Sequence, residues 1–298
     1  MDQEWIDVLL RQRGCKVPSR IVATDGRGYT VVEQIGQGGN AVVCECEDEA
    51  DGSIYAVKFL LLPKDKGRLP RFELETRIIQ KLTQTNHDHL IRFVAHGEAD
   101  ALVPEWRSRR LSQVRAPFLV MERASKSLRE LVAEVREPIA PEIYFGQFRG
   151  LVSALGVLHQ HALHRDIKPD NILVVGDRWT ISDFGLCLPN EAEDGAQDLT
   201  AVGQIPGPRF WMSPEANNRS VGLPDEIGSA SDVFQLAAVF WWVVTRRHPS
   251  GILTQEDWTG SPRLFEPISR ALQHSLGRRF QTAQDFGAAV TVAMEAGD

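Results

Sequence analysis

The segment HRDIKPDNIL (residues 164–173) places Asp166, Lys168 and Asn171 close together, and Asp183 follows in the tripeptide DFG. A carboxylate such as Asp166 can orient a substrate hydroxyl, and Lys168 can balance charge on a phosphoryl group in transit. Asn171 and Asp183 can together hold a Mg²⁺ ion that bridges nucleotide phosphates. The spacing of these four residues therefore indicates phosphoryl transfer.

This run resembles the catalytic loop of the protein kinase family, and the resemblance covers roughly residues 28 to 290. It implies an α+β, two-lobed protein kinase fold with a β-rich N-lobe and a mostly helical C-lobe. It also implies that ATP and Mg²⁺ are used to phosphorylate Ser or Thr hydroxyls of protein substrates, with autophosphorylation. Lys168 resembles serine/threonine rather than tyrosine kinases, and the RFQTAQDF segment is similar to bacterial kinases of the eukaryotic (Hanks) type.

The glycine-rich segment IGQGGNAVV occupies the turn where the family covers the nucleotide phosphates with backbone amides. The resemblance assigns this role to Gly36, Gly38 and Gly39, and the family's third glycine is Ala41 here. Lys58, in YAVK, corresponds to the family's phosphate-contacting lysine.

Two glutamates, Glu73 and Glu75, could pair with Lys58 from the helix predicted at about 70–83. Glu75 shares the apolar helix face with Ile78, Ile79 and Leu82, whereas Glu73 aligns with polar residues. A carboxylate directed inward needs a cation. We therefore predict that Glu75 pairs with Lys58.

The resemblance also assigns an adenine site. The backbone of Glu122 and Ala124 would bind the edge of the base. Apolar side chains would enclose its ring, and these are Val43, Ala56, Met121 and Leu173.

Residues 183–215 correspond to the activation segment of the family. Thr200 is its one hydroxyl residue between Leu186 and Met212, and we predict that phosphorylated Thr200 binds Arg165 and orders the loop. The acidic residues of the same stretch are the alternative, and they are Glu191, Glu193, Asp194 and Asp198. Pro208 stands where the family usually has a Thr that bonds the catalytic Asp and Lys, so another group must orient Asp166.

Structural roles in the second lobe also follow from the resemblance. Asp232 would bind the catalytic-loop backbone or serve as a helix N-cap, and both roles are compatible. Glu215 would pair with Arg279, with Arg278 as the alternative. The stretch from 248 to 264 is short for the family, which predicts a reduced helical shelf for substrates.

Composition narrows the class of protein. A net charge of -7 argues against a nucleic-acid binder, because phosphate contacts need a basic face. The most apolar run, Leu236–Val244, is far shorter than a bilayer span of about 20 residues. The acidic N-terminus does not resemble a secretory signal. The few scattered cysteines fit a reducing cytoplasm, and they are Cys15, Cys44, Cys46 and Cys187.

Three segments are expected: an N-terminal helical extension at 1–20, an N-lobe at 21–122 and a C-lobe at 123–298. The extension is predicted to be an amphipathic helix through Trp5, Ile6, Leu9 and Leu10 that packs on the first lobe rather than docking a partner. A strand is predicted to end near Ala95. Residues 97–117 are predicted as a long polar connection, with a solvated hairpin favoured over a docking patch.

Two other functions compete with an active protein kinase. A pseudokinase, which is a nucleotide-responsive signalling scaffold, would tolerate Pro208 and Ala41, but the chain retains Lys58, Glu75 and Asp166. A small-molecule kinase of the aminoglycoside type is disfavoured by Arg165 and by the SPE sequence at 213–215, which belong to machinery for protein substrates. The substrate and the oligomeric state are not indicated.

Overall fold

The structure, a computed structural model, describes residues 4–62, 67–105, 110–190 and 210–295. The chain forms two compact units. The first contains the residues up to Thr83 together with Ile91–Ala124, and the second contains Gln84–Leu90 and the residues from Ser125 onward. Strands dominate the first unit and helices the second, which confirms the predicted two-lobed α+β organisation.

An antiparallel sheet makes up most of the first unit. Its strands are β1 (Trp5–Leu10), β2 (Arg13–Pro18), β3 (Arg20–Val22), β4 (Gly28–Gln37), β5 (Ala41–Asp48), β6 (Ile54–Leu60), β7 (Phe93–Pro104) and β8 (Leu111–Glu122). Their order across the sheet is β1-β2-β7-β8-β6-β5-β4-β3. β1 also contacts β4, so the sheet is curled around its core.

Side chains that alternate along the strands fill this core. Cys44 and Cys46 of β5 point inward with Val57 and Phe59 of the neighbouring β6, and all four are fully buried. Burial raises the pKa of each of these two thiols to about 12. The thiols therefore stay protonated at neutral pH and pack as small apolar side chains.

Helix α1 (Arg68–Gln84) lies within the first unit up to Thr83 and matches the helix predicted at about 70–83. Its apolar side chains recur at helical spacing and are buried, including Leu74, Ile78 and Leu82. This periodicity gives the helix one inward face, which also carries Glu75.

The prediction of a helix within residues 1–20 was wrong, because this segment forms the β1–β2 hairpin. Val8 and Leu10 of β1 and Cys15 and Val17 of β2 are buried at alternating positions, which is the period of a strand. Leu9, which the helical pattern had placed on the apolar face, is 56% exposed. The buried residues of the hairpin belong to the core of the first unit.

The strand predicted to end near Ala95 continues to Pro104, so the prediction of a connection at 97–117 was wrong. β7 and β8 stay in register from Ala95 opposite Val120 to Pro104 opposite Leu111, after a register shift between Phe93 and Ala95. Alternate residues on one face, including Ala101 and Ala116, are fully buried. The extension is a hairpin, but its inner face is core because β2 pairs with β7.

The second unit contains the remaining elements. Its helices are α2 (Leu128–Glu134), α3 (Pro141–Leu158), α4 (Pro214–Ser220), α5 (Ser229–Thr245), α6 (Pro262–Ala271) and α7 (Ala283–Glu295). Its strands are β9 (Lys126–Ser127), β10 (Ala162–Leu163), β11 (Ile172–Val175), β12 (Arg178–Ile181) and β13 (Leu188–Pro189). Helix α5 is apolar on nearly all sides and buried, and Phe240 stacks on Phe148 of α3 at 3.8 Å between ring centroids.

Candidate active site

In the first unit, Lys58 and Glu75 form an ion pair. Lys58 Nζ lies 2.7 and 2.9 Å from the two carboxylate oxygens of Glu75. Glu75 is 5% exposed, whereas Glu73 on the same helix is exposed. β6 places Lys58 on the sheet face opposite to Val57 and Phe59, and α1 directs Glu75 toward it. The alternation of side chains along β6 and the helical spacing along α1 therefore bring Lys58 and Glu75 together.

The sheet register puts three of the predicted adenine-site residues on the face of Lys58. Val43 lies directly opposite Lys58, and Ala56 lies opposite Met121. Directly opposite residues of an antiparallel pair share a face, and so do alternate residues of one strand. Leu173 lies on β11 of the second unit, opposite Ser127.

The glycine-rich turn joins β4 to β5. Gly36 lies opposite Val43, and the N–H of Gly38 donates to the carbonyl of Ala41 at 2.8 Å. This bond closes a turn over Gly39 and the residue after it. None of the three glycines has a positive φ, so the turn itself does not require the left-handed conformation that glycine allows.

The end of β8 is held by two arginines that the sequence did not single out. The N–H of Glu122 donates to the carbonyl of Arg92, and the Glu122 carboxylate accepts from the N–H of Arg92. Arg123 donates to Glu45 at 3.0 Å and to the carbonyl of Ala124. The backbone predicted to bind the base is thus fixed by backbone and side-chain contacts within the first unit.

In the second unit, two donors converge on one oxygen of Asp166. Lys168 Nζ lies 2.7 Å from Oδ2 of Asp166, and the side-chain nitrogen of Asn171 lies 2.9 Å from the same oxygen. Asp166 is 6% exposed, and burial raises the pKa of its carboxyl. The nearby Asp183 carboxylate acts in the same direction, and Lys168 opposes the rise.

Helix α5 holds the backbone of this loop. Asp232 accepts hydrogen bonds from the N–H groups of His164 and Arg165 at 2.7 and 2.8 Å. Burial would raise the pKa of Asp232, but hydrogen bonds from His159 and from the backbone lower it overall. The carboxylate therefore remains ionised where the loop needs an acceptor.

Gln235, one helical turn beyond Asp232, completes this contact and was missed by the sequence reasoning. Its side-chain oxygen accepts from the N–H of Ile167 at 3.0 Å, and its nitrogen donates to the carbonyl of Arg165 at 3.3 Å. A buried amide in an otherwise apolar helix is the signal that could have revealed it, because buried polar groups need partners.

Asp183 follows β12 in a strained conformation. Its φ is 61°, and that of Arg165 is 71°, both in the left-handed region that non-glycine residues rarely adopt. Ser182, just before Asp183, donates from its hydroxyl and its N–H to the carbonyl of Asn171, each at 2.9 Å. Such strain persists where surrounding contacts enforce it, and it clusters at functional sites.

A buried ion pair joins Glu215 of α4 to Arg279. Arg279 Nη1 lies 2.9 Å from one carboxylate oxygen, Nη2 binds the other, and the hydroxyl of Ser231 adds a bond at 2.6 Å. Arg279 is 2% exposed, whereas Arg278, the alternative partner, is exposed. Burial would raise the pKa of Glu215, but Arg279 and Ser231 lower it overall.

Arg129 of α2 is a further residue that the sequence did not indicate. It binds both carboxylate oxygens of Asp170, in the catalytic loop, at 2.7 and 2.8 Å. Its guanidinium also lies 6.0 Å from the ring centroid of Trp211 and 5.8 Å from that of Trp242. Arg129 thus links the loop that carries Asp166 to Trp211, which precedes α4, and to Trp242 of α5.

Two sequence predictions concern residues outside the described part of the chain. Thr200, with the four acidic residues that could replace it, and Pro208 both lie in 191–209. The region between His248 and Leu264 is described and contains a short 3₁₀ turn, Gln255–Asp257, before α6 begins at Pro262. This part of the second unit therefore offers only a small helical surface, as its length suggested.

Comparisons with known proteins identify the family of the chain. The family model described as a protein kinase domain matches residues 29–272, and the chain therefore belongs to the protein kinase family. Serine/threonine-protein kinase PknK of Mycobacterium bovis is 30% identical over 220 residues, covering 73% of this chain and 18% of that protein. Serine/threonine-protein kinase PknL of Mycobacterium tuberculosis is 29% identical over 243 residues, covering 80% of this chain and 54% of that protein.

A human relative shares a shorter segment. Serine/threonine-protein kinase/endoribonuclease IRE2 of Homo sapiens is 36% identical over 145 residues, covering 45% of this chain and 15% of that protein. The matched segments thus span from 15% to 54% of these three relatives. Within the described residues, no helix combines the length and apolarity needed to cross a bilayer.

Proposed function

We propose that this chain is a protein kinase that uses ATP and Mg²⁺ to phosphorylate Ser or Thr hydroxyls of protein substrates, including its own. The observation that carries the proposal is the arrangement around Asp166. Lys168 and Asn171 both bind Oδ2. This leaves Oδ1 as the oxygen that can orient a substrate hydroxyl and accept its proton. The names of the mycobacterial relatives support serine/threonine specificity.

The Asp166 carboxylate needs a fixed orientation, and Pro208 cannot supply the family's hydroxyl. Within the described residues, the two bonds from Lys168 and Asn171 supply that orientation. Asp232 and Gln235 fix the backbone on either side of Asp166. The loop therefore holds its carboxylate through contacts of its own and of α5, which favours an active enzyme over a scaffold.

The glycine-rich turn supports nucleotide binding by its shape. A Cβ added at Gly36, Gly38 or Gly39 would meet its nearest neighbour at 3.7, 3.9 or 3.6 Å, which is ordinary contact. The protein's own packing therefore does not demand glycine at these positions. Close approach of a ligand to the backbone is a reason that remains, and phosphates bound by backbone amides would approach in this way.

The residues also fit a Mg²⁺ ion. Asn171 donates its side-chain nitrogen to Asp166, so its side-chain oxygen is the atom suited to a metal, and Asp183 is an exposed carboxylate. Oxygen ligands are those that Mg²⁺ prefers. When bound, the ion would neutralise phosphate charge, and Asn171 and Asp183 would hold it. Lys58, kept in place by Glu75, would bind the phosphates directly.

The cysteines support a reducing compartment such as the cytoplasm for this enzyme. Cys15, Cys44, Cys46 and Cys187 are all buried, and none of them forms a disulfide. Structural disulfides are common in oxidising compartments and rare in the cytosol. None of these thiols needs an oxidising environment to fulfil its packing role.

The test is transfer of label from radiolabelled ATP to the chain itself and to a generic protein acceptor, with and without Mg²⁺. We expect Mg²⁺-dependent labelling that yields phosphoserine and phosphothreonine on acid hydrolysis. Asp183→Asn should abolish the labelling because it removes a metal ligand. Nucleotide binding without any transfer above that variant would overturn the proposal and identify a scaffold.

The Lys58–Glu75 pair gives a second test of the same function. Glu75→Gln removes the negative charge that holds Lys58, and we expect kcat/KM for ATP to fall about ten- to a hundredfold, since a hydrogen bond to a charged group contributes roughly 1.5–3 kcal/mol. Glu73→Gln is the matched control, because it makes the same change at an exposed site two residues earlier. Steady-state kinetics with varied ATP would measure both, and equal effects would contradict the assigned pairing.

A further inference from the structure

The β1–β2 hairpin is bound by three side chains of β4 and the glycine-rich turn, and these side chains are spaced three residues apart. Gln34 binds the backbone of Leu9 twice, accepting from its N–H at 2.7 Å and donating to its carbonyl at 2.9 Å. Gln37 accepts from the N–H of Arg11 at 3.2 Å. Asn40 accepts from the Arg11 guanidinium at 2.8 Å. The bonds thus follow β4 into the turn and end at its tip.

Arg11 lies against the tip of that turn. Its Nη2 is 3.6 Å from the place where a Cβ on Gly39 would be, and it binds the side chain of the next residue, Asn40. The turn itself is closed by the bond from Gly38 to Ala41. Arg11 therefore contacts the two residues that the closing bond leaves at the tip.

The conformation of Arg11 is strained, which is a separate sign that its side chain is needed there. Arg11 and Gln12 form the two-residue loop of the hairpin, with φ values of 51° and 64°. Turns of this type favour Asn-Gly, because both central residues adopt the left-handed conformation. Strained residues cluster at functional positions, where surrounding structure enforces them.

The hairpin that carries Arg11 is itself firmly anchored. Val8 and Leu10 on one strand and Cys15 on the other are buried in the core of the first unit. On the side away from the glycine-rich turn, Arg13 donates to the carbonyls of Pro104 and Glu105 at 3.3 and 2.9 Å. Arg11 therefore extends from a rigid support to a turn of exposed glycines.

We propose that Arg11 is a positioning residue for the nucleotide: through Asn40 and the backbone beside it, Arg11 holds the glycine-rich turn in the conformation that binds phosphates. This inference rests on the proposed function, which assigns phosphate binding to that turn. A turn that is already ordered loses less conformational freedom when the nucleotide binds, so the chain binds the nucleotide with higher affinity. Arg11 lies outside residues 29–272, which match the family model.

The test compares Arg11→Ala with Arg13→Ala. Both variants remove an arginine side chain from the hairpin, but Arg13 contacts Pro104 and Glu105 and not the glycine-rich turn. Calorimetric titration with Mg·ADP should show a dissociation constant about three- to tenfold higher for Arg11→Ala, as expected for one lost hydrogen bond. Arg13→Ala should change it little, because the buried side chains of the hairpin still anchor it in the core. Asn40→Ala should have the same effect as Arg11→Ala. The double variant should lose no more than either single variant, because the two residues form one contact.

Amide hydrogen exchange of the nucleotide-free chain provides the second readout. Exchange at residues 38–41 should be faster in Arg11→Ala than in the unaltered chain or in Arg13→Ala. Unchanged ADP affinity and exchange in Arg11→Ala would overturn this inference and leave the proposed function intact. Absence of Mg·ADP binding by the unaltered chain would overturn the proposed function, and the positioning role with it.

Discussion

Replacement of Asp166 with Asn should lower kcat by about 10²–10⁴-fold, the usual contribution of a positioned general base. The dissociation constant for Mg·ADP should stay nearly the same, because Asp166 binds Lys168 and Asn171 and is assigned to the hydroxyl rather than to the nucleotide. Transfer of label from ATP measures the first quantity and calorimetric titration the second. A kcat within tenfold of the unaltered chain would contradict the assigned role.

Asp170→Asn is the matched control for this experiment. Asp170 is another carboxylate of the same loop, but its oxygens bind Arg129. The pKa of Asp170 is lowered: burial acts to raise it, and the bonds from Arg129 outweigh that effect. We expect Asp170→Asn to weaken the contact with α2 and to reduce kcat far less than Asp166→Asn does.

The raised pKa of Asp166 also predicts the stability of the variant. A carboxyl whose pKa is higher in the folded than in the unfolded state binds its proton more tightly when folded, so its contribution to stability is lost as pH rises through the folded pKa. Ionisation of Asp166 therefore makes the fold less stable than it is with this carboxyl protonated. Asp166→Asn removes that charge, so its melting temperature at pH 7 should not fall below that of the unaltered chain. A melting temperature at or below that of the assay would mean that the lost activity reflects unfolding.

The spacing of apolar residues in the sequence correctly predicted site residues whose direction depends on one amphipathic helix. Glu75 shares a helix face with Ile78 and Leu82, and that face is buried. The direction of its carboxylate followed from the helix alone. The roles assigned to Asp166, Asn171 and Asp183 came instead from the family resemblance, and their spacing carries no information on which atoms meet.

Periodicity failed for the N-terminal segment because a short apolar run fits two patterns. Ile6, Leu9 and Leu10 suit a helix, and Ile6, Val8 and Leu10 suit a strand equally well. The strand was selected by the pairing of β2 with β7, in which Lys16 lies opposite Leu102, a residue far later in the chain. Such non-local pairing leaves no trace in the local sequence. Arg11 was missed for the same reason, because its partners Gln37 and Asn40 lie on a different strand and turn. Gln235 is different, because its polar side chain within an apolar helix was a local signal.

Loss of the buried partner of Glu215 should have the largest effect on stability. Arg279→Met leaves the Glu215 carboxylate buried beside Ser231 without its cation, and breaking a buried ion pair in this way typically costs about 3–5 kcal/mol. The free energy of unfolding can be measured by urea denaturation followed by the fluorescence of buried tryptophans such as Trp241. Arg278→Met is the matched control, because the neighbouring arginine is exposed and should change stability by less than about 0.5 kcal/mol.

The contribution of Glu215 to stability should depend on pH with opposite sign in the unaltered chain and in Arg279→Met. In the unaltered chain the pKa of Glu215 is lowered overall, although burial alone would raise it, so its contribution is present above the ordinary glutamate pKa of about 4.3 and is lost as pH falls through the lower folded value. In Arg279→Met burial acts with little opposition and should raise that pKa, so acidification protonates Glu215 and reduces the penalty. The difference in unfolding free energy should therefore shrink between pH 7 and pH 5. A difference that stays constant over this range would show that the arginine acts through its packing rather than through its charge.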